Sequence, residues 1–539
     1  MDDVVIVGAG PTGLTLACEL LRRGRSCRLV ESAPEPSETS KATVVSPRTL
    51  EVLDLIQVAD GAVRRGHPID AVCCYSGGVL LTRLRPDPGV ATRFPFPLVL
   101  PQRETERLLL ARLAELGGHP ERGRRVVSVR QHRDGVVATV EGSAGTEELH
   151  SRWLVGCDGA HSVVRHEAGI GFAGDRYPQT FVLAEVRADT ELPADQGHFF
   201  LSPHGVVVFV ALPGGTCRLT VDMPGPLTGD PGVEWLQRGL DRRGVSAVRV
   251  RTLDWVSPYR ITNRVATAYR RGRVLIAGDA AHLHSPVGGQ GMNTGIQDAV
   301  NLGWKLDLVA GGAAADALLD TYEAERLPVA RAVVRGTDVV SRLGLVRAPG
   351  ADRARVFAIR ALARTGLVRR LAARATQLDV AYPRSAIVAR PRAAGLVRPG
   401  RRAPDGALVA ASGNCVRVHE LFRHGGHTLL VFATEPDRTG PVLALASARG
   451  VSAQLLGRLP GAGAGALADL EGAVHRSYGV RGDALVLVRP DGHVAAAVPE
   501  AGVRAAHGAL ASLPRPPERR PPARAEAERA PGPPGTAPR

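Results

Sequence analysis

Residues 278–293 read GDAAHLHSPVGGQGMN, and the residue types there admit three kinds of chemistry. His282 and His284 form a His-x-His pair that could chelate a metal from a strand. No third ligand stands at ligand-like spacing, so no metal is expected. Gly278, Gly288, Gly289 and Gly291 could instead cradle phosphates or bring main chain flat against a ring. A second glycine group stands near the N-terminus: Gly8, Gly10 and Gly13, spaced G-x-G-x-x-G around Thr12. In such a motif the first glycine permits a tight turn, the second lets a pyrophosphate approach, and the third lets helix and strand pack closely. Glu31, followed by Ser32, lies 18 residues past Gly13, where an acid accepts ribose hydroxyls. These residues predict a dinucleotide site without saying which dinucleotide.

The elements around them must do the positioning. DDVVIVGAGPTGLTLACELLRRG reads as strand, glycine turn and helix, and RSCRLVESAP as a second strand, which makes a βαβ unit. RVVSVRQHRDGVVATVEG reads as a hairpin turning at Asp134-Gly135. From 171 to 270, apolar or alternating runs between Gly and Pro breaks predict an antiparallel sheet. RVLIAGDAAH returns to a buried strand, and GIQDAVNLGWKLDLVAGG has helical spacing. That helix starts just after the glycine run, so its positive end points back at whatever the run holds.

Composition narrows the class. The 539 residues exceed one ordinary core, and 44% hydrophobic content is globular. The net charge of +15 is nearly all arginine, spread along the chain with only Lys41 and Lys305 as lysines, so no nucleic acid is expected. Seven dispersed cysteines without C-x-x-C suit a reduced compartment. With no leader and no apolar run approaching the roughly 20 residues that span a bilayer, a cytoplasmic protein off the membrane is expected.

Three motifs in order, the N-terminal glycines, VGCDGAHSVVR and RVLIAGDAAH with PVGGQGMN, resemble the FAD-binding aromatic monooxygenases of the para-hydroxybenzoate hydroxylase type. The likeness is strongest to the branch acting on phenols and polyketides. It implies an α/β protein: a Rossmann-type FAD domain in two parts (1–170 and 271–395), an inserted antiparallel substrate sheet (171–270), a thioredoxin-like domain (396–513) and a disordered tail (514–539). It places FAD against Gly8, Gly10, Thr12, Gly13, Glu31 and Ser32, with Lys41 and Arg48 near it, Gln102 on the flavin side and the Val126 backbone near the adenine. Asp158 with Arg165 would serve the phosphate region and nicotinamide docking. Asp279, next to Gly278, would bond the ribityl chain near the pyrophosphate, Pro286 would sit by the ring, and the Met292 and Asn293 N–H groups would face the pyrimidine edge, with Gly289 and Gly291 letting main chain approach the ring.

The resemblance implies that NADPH or NADH reduces FAD, and that a flavin C4a-hydroperoxide passes one atom of O2 to a large aromatic molecule in secondary metabolism. Baeyer–Villiger insertion and epoxidation use the same seat, and a flavoprotein that sequesters an aromatic drug is the alternative of another class. Phe94, Phe96, Phe199, Phe200, Phe209, Trp255 and His284 are candidate pocket walls, with Arg93 beside Phe94. In the C-terminal domain Cys415 reads as a small buried hydrophobe, and a homodimer is one expectation.

Overall fold

The computed structural model describes residues 1–38, 42–223, 231–284, 289–345, 356–357, 361, 373–391, 395–458 and 465–514. Lys41, Pro286, Gly288 and the tail beyond Pro514 lie outside them. Strand β1 (Asp2–Val7) is a run of Val and Ile because it is covered on both faces; Val4, Val5 and Ile6 are fully buried. Helix α1 (Pro11–Leu21) starts on a proline, whose missing N–H and fixed φ suit a first turn. Strand β2 (Cys27–Glu31) then lies parallel to β1.

Parallel pairing continues outward from this unit. The sheet runs Val274–Ile276, Gly145–Gly156, β1, β2, Pro120–Arg122, with Arg270–Arg271 antiparallel at one edge. The expected hairpin is present as Arg125–Gln131 and Val136–Gly142. Helix Gly291–Ala310 crosses α1 closely; a Cβ on Gly303 would stand 2.8 Å from Glu19 Cβ.

The second sheet departs from the expectation in two ways. It extends outside 171–270, taking the hairpin Ala71–Ser76 and Val79–Leu84 from earlier in the chain. It is also mixed, because Gln196–Ser202 pairs parallel with Ala71–Ser76. Its long strands Phe172–Thr190 and Val248–Ala266 pair antiparallel with several register shifts. Helix Val233–Asp241 packs Leu236 and Leu240 against one face, burying Val182, Ala184, Val207, Leu219 and Val221. The opposite face is left to line a cavity.

A third sheet, of seven strands between Ala407 and Val498, is also mixed and has its own core around Leu429, Val431, Leu485 and Leu487. Cys415 is exposed there, because it sits on the edge strand Cys415–Arg417; it is not the buried hydrophobe expected. No helix among the described residues is long and apolar enough to cross a membrane.

Candidate active site

The N-terminal glycines divide by task. Gly8 has φ +101°, and a Cβ there would collide with the carbonyl of Cys157. A Cβ on Gly13 would collide with the carbonyl of Gly8. Gly10 is different: a Cβ there would meet nothing within 4 Å. The first and third glycines are therefore consumed by packing, and the second leaves an open cradle at the N-terminus of α1, whose N–H groups no side chain caps. Glu31 is tied to the same loop, its Oε2 accepting Ala9 N–H at 2.7 Å and its Oε1 accepting Ala33 N–H at 2.8 Å.

The glycine run at 278–293 is held from behind. Gly278 has φ +63°, and a Cβ there or on Gly295 would strike Thr12 Oγ1, so Thr12 is wedged between strand end and helix. Asp298 Oδ2 accepts Gly278 N–H at 3.2 Å and faces His282 Nε2 at 2.7 Å, while Arg326 Nε donates to Oδ1 at 2.6 Å. Burial alone would raise the Asp298 carboxyl, but Arg326 and His282 hold it below the usual range. Asn293 closes the loop, donating to Val44 O at 2.8 Å and Gly289 O at 2.6 Å and accepting Ser46 N–H at 2.8 Å. His282 is thus a buried partner of Asp298; among the described residues no cluster of His, Cys, Asp and Glu could hold a metal.

Asp158 and Arg165 do not pair with each other. Asp158 accepts Ser162 O–H at 2.5 Å and Val164 N–H at 3.1 Å, which caps the short helix Val163–Glu167, and burial raises its carboxyl. Arg165 donates to Ala160 O at 3.1 Å and to Ala280 O at 2.9 Å, with its guanidinium 4.0 Å from the Phe172 ring centroid. One side chain therefore ties two of the three motifs together.

All three motifs open on one cavity of ≈ 2560 Å³. It brings together Gly10, Thr12, Gln102, Gly159, Arg165, Asp279, His284, Gly289, Gly291, Met292 and Asn293 on one side. Gln102 sits at the start of helix Gln102–Glu115, where its Oε1 accepts Ala42 N–H at 3.2 Å. On the other side stands the open face of the second sheet, with Leu183, Phe199, Val208, Val210, Arg218, Thr220 and Ser257. Ridge and row follow from pairing: Phe199 is opposite Val208, Val208 opposite Thr220, and Thr220 opposite Leu183.

Several expected residues lie elsewhere. Neighbours on a strand point to opposite faces, so Phe199 faces the cavity while Phe200 and Phe209 belong to the core under helix Val233–Asp241. Trp255 lies behind the Arg218 guanidinium, 5.3 Å away, and off the cavity lining. Phe94 is buried in the first core and Phe96 packs on it; Arg93 donates outward to Asp54 and Asp60. Arg48 is sealed against Glu51 Oε2 at 2.9 Å and Asp491 O at 2.7 Å, between domains, and does not reach the cavity. Val126 is a buried strand residue opposite Val140, also off the lining. Arg218, Thr220 and Ser257 were missed; the two-residue spacing of Arg218 and Thr220 in CRLTVDM is the signal that places both on one face.

Residues 1–337 match a family described as FAD binding domain, and 396–515 match one described as aromatic-ring hydroxylase, C-terminal. The chain belongs to the FAD-binding aromatic-ring hydroxylases. It is 36% identical to the 12-dehydrotetracycline 5-monooxygenase/anhydrotetracycline 6-monooxygenase of Streptomyces rimosus over 517 residues, 93% of this chain and 96% of that one. The crystal structure of a ternary complex of aklavinone-11 hydroxylase with FAD and aklavinone matches with a TM-score of 0.76 at 29% identity, over 95% of this chain and 98% of that one. The anhydrotetracycline hydroxylase OxyS of Streptomyces rimosus matches with a TM-score of 0.78 at 35% identity, over 96% and 99%. For a FAD-binding hydroxylase the residues present fit the cofactor, since the Gly10 cradle is open where phosphates would lie and the Gly289–Asn293 main chain faces the same cavity.

Proposed function

We propose that this chain is an NAD(P)H-dependent monooxygenase that places one oxygen atom of O2 on a large, polyketide-like aromatic in antibiotic or related secondary metabolism. The observation that carries this is the single cavity joining the flavin-side loops to the sheet wall. The cavity also runs on along residues 324–336 and 373–385, and its ≈ 2560 Å³ in all exceeds the roughly 300–1,000 Å³ of an ordinary ligand pocket.

FAD, when bound, would supply the chemistry by accepting hydride from the nicotinamide and activating dioxygen. In this reading Gly10 and the start of α1 hold its phosphates, Glu31 its ribose, Asp279 its ribityl chain, and Met292 and Asn293 its pyrimidine edge. The positive end of helix Gly291–Ala310 favours negative charge developing on the ring. Phe199, Val208, Val210 and Leu183 offer an apolar wall that lays the substrate flat and keeps water away, and Arg218 with Thr220 offers a polar corner. His284 lines the same cavity beside Gly291, where a Cβ would stand 3.6 Å from its ring. The C-terminal sheet, read as a thioredoxin-like appendage over 396–513, packs against the FAD domain and does no thiol chemistry.

The test is purification followed by assay with NADPH, air and a panel of polycyclic phenols. A yellow protein, NADPH consumption accelerated by one of them, and a product heavier by one oxygen are expected. A colourless protein that refuses FAD, or tight ligand binding with no NADPH consumed, refutes the reading.

A further inference from the structure

Three glycines lie within the strands of the second sheet, and two of them have backbone reasons. Gly174 and Gly205 have φ of +136° and +120°, and a Cβ on either would collide with Asn263 O or the Asp222 carboxylate. Gly197 is the third, on an interior strand, the sixth of eight, between Val72 and Val210. It has no left-handed φ, and a Cβ there would stand 3.9 Å from Ile69 Cδ1 and Val72 Cγ2, ordinary van der Waals contact. Neither conformation nor packing demands glycine, although glycine weakens a strand interior.

What Gly197 faces explains it. The residue lines the cavity, on the same face as Phe199 two positions on. Its row continues through Val210 to Arg218, each directly opposite the next; Val210 packs with Ile69, Val99 and Leu212 at one side, and Arg218 is paired with Glu185. At about 4.8 Å per strand step, the bare spot lies roughly 10 Å from the start of the Arg218 side chain, close to the width of three fused rings. Phe199 rises beside the gap as a wall.

We propose that Gly197 is a specificity-determining residue: its missing side chain leaves a flat recess that seats a planar ligand of three or more fused rings, with an oxygen-bearing edge toward Arg218. This rests on the monooxygenase reading of the cavity and names the shape its substrate must have. A side chain at 197 would project into the recess and shorten it, without touching the FAD loops or the core behind the sheet.

The experiment uses the full-length, FAD-loaded protein and the variants Gly197→Ala and Gly197→Leu, with alizarin and quinizarin as three-ring probes, followed by flavin fluorescence quenching. Probe Kd should rise a few-fold in Gly197→Ala and at least tenfold in Gly197→Leu. FAD retention should be unchanged and Tm equal or higher, because a strand glycine has been removed. Probe Kd within twofold of the parent in both variants would overturn the inference while leaving the monooxygenase reading intact. Lower Tm or lost FAD in Gly197→Ala would also overturn it, by giving the glycine a structural reason. If the parent protein with FAD binds neither probe, the polycyclic pocket falls and this inference with it.

Discussion

His282 Nε2 stands 2.7 Å from Asp298 Oδ2, and both side chains are fully buried. The carboxylate is acceptor-only, so Nε2 carries the proton, and His282 is tied through Asp298 to helix Gly291–Ala310. The other carboxylate oxygen is held by Arg326, which also donates to Thr294 O and the Tyr382 hydroxyl.

Asp298→Ala leaves the Arg326 guanidinium buried without its carboxylate, and breaking such a pair costs about 3–5 kcal/mol. Asp298→Asn keeps the shape and one acceptor. The alanine variant should melt well below the asparagine variant, and both should bind FAD more weakly than the parent. Thermal denaturation and FAD titration check this; equal Tm values for parent and alanine variant would contradict it.

Gly10 and Gly13 belong to one motif but should respond in opposite ways. Gly13→Ala forces a Cβ into the Gly8 carbonyl, an overpacking that costs roughly 1–3 kcal/mol in the apoprotein. Gly10→Ala has room for its Cβ in the FAD-free chain and should leave its Tm unchanged, yet raise the FAD Kd several-fold. Comparable Tm losses in the two variants would remove the distinction.

Phe199 and Phe200 are adjacent and face opposite ways. Phe200→Ala empties a core site and should cost about 3–5 kcal/mol in a urea melt. Phe199→Ala should shift the melt far less while raising KM for an aromatic substrate. A swap of these two phenotypes would show the strand in the other register.

Lys305 is fully buried with Glu325 at 2.8 Å, and Arg489 binds the same carboxylate through two nitrogens. Burial pushes the ammonium down to about 8, against the pull of Glu325. The unfolded chain, with the ordinary value of 10.5, then binds more protons between pH 8 and 10.5, so this group makes stability rise with pH across that window. Burial raises the Cys18 and Cys27 thiols to about 12, which acts oppositely above pH 9, so the readout must be a difference. The unfolding free energy of the parent minus that of Lys305→Met should increase from pH 8 to 10.5; a flat difference would show Lys305 unshifted.

Spacing along the chain was enough for what lies within a few residues of itself. The turn at Gly8, the helix after it and the strand ending at Glu31 follow from local geometry, and the structure has each; the later helix is present too but begins at Gly291, inside the glycine run rather than after it. The same period-2 geometry could have told Phe199 from Phe200, but nothing in a strand's text says which face has a helix over it. Here helix Val233–Asp241 decided, by covering one face and leaving the other to the cavity.

Everything that joins distant segments was settled by the tertiary fold. Arg165 reaches Ala280 across 115 positions, and Arg48 reaches Asp491 across 443. Such pairs obey no spacing rule, because their free energy comes from burial and from satisfying polar groups wherever the folded chain brings them together. The sequence by itself determined the strand, glycine turn and helix of a dinucleotide fingerprint, because each is set by residues within a few positions of one another. Only the folded molecule decided that Arg48 would brace two domains, that Asp298 would hold the second loop, and which side chains would face the cavity.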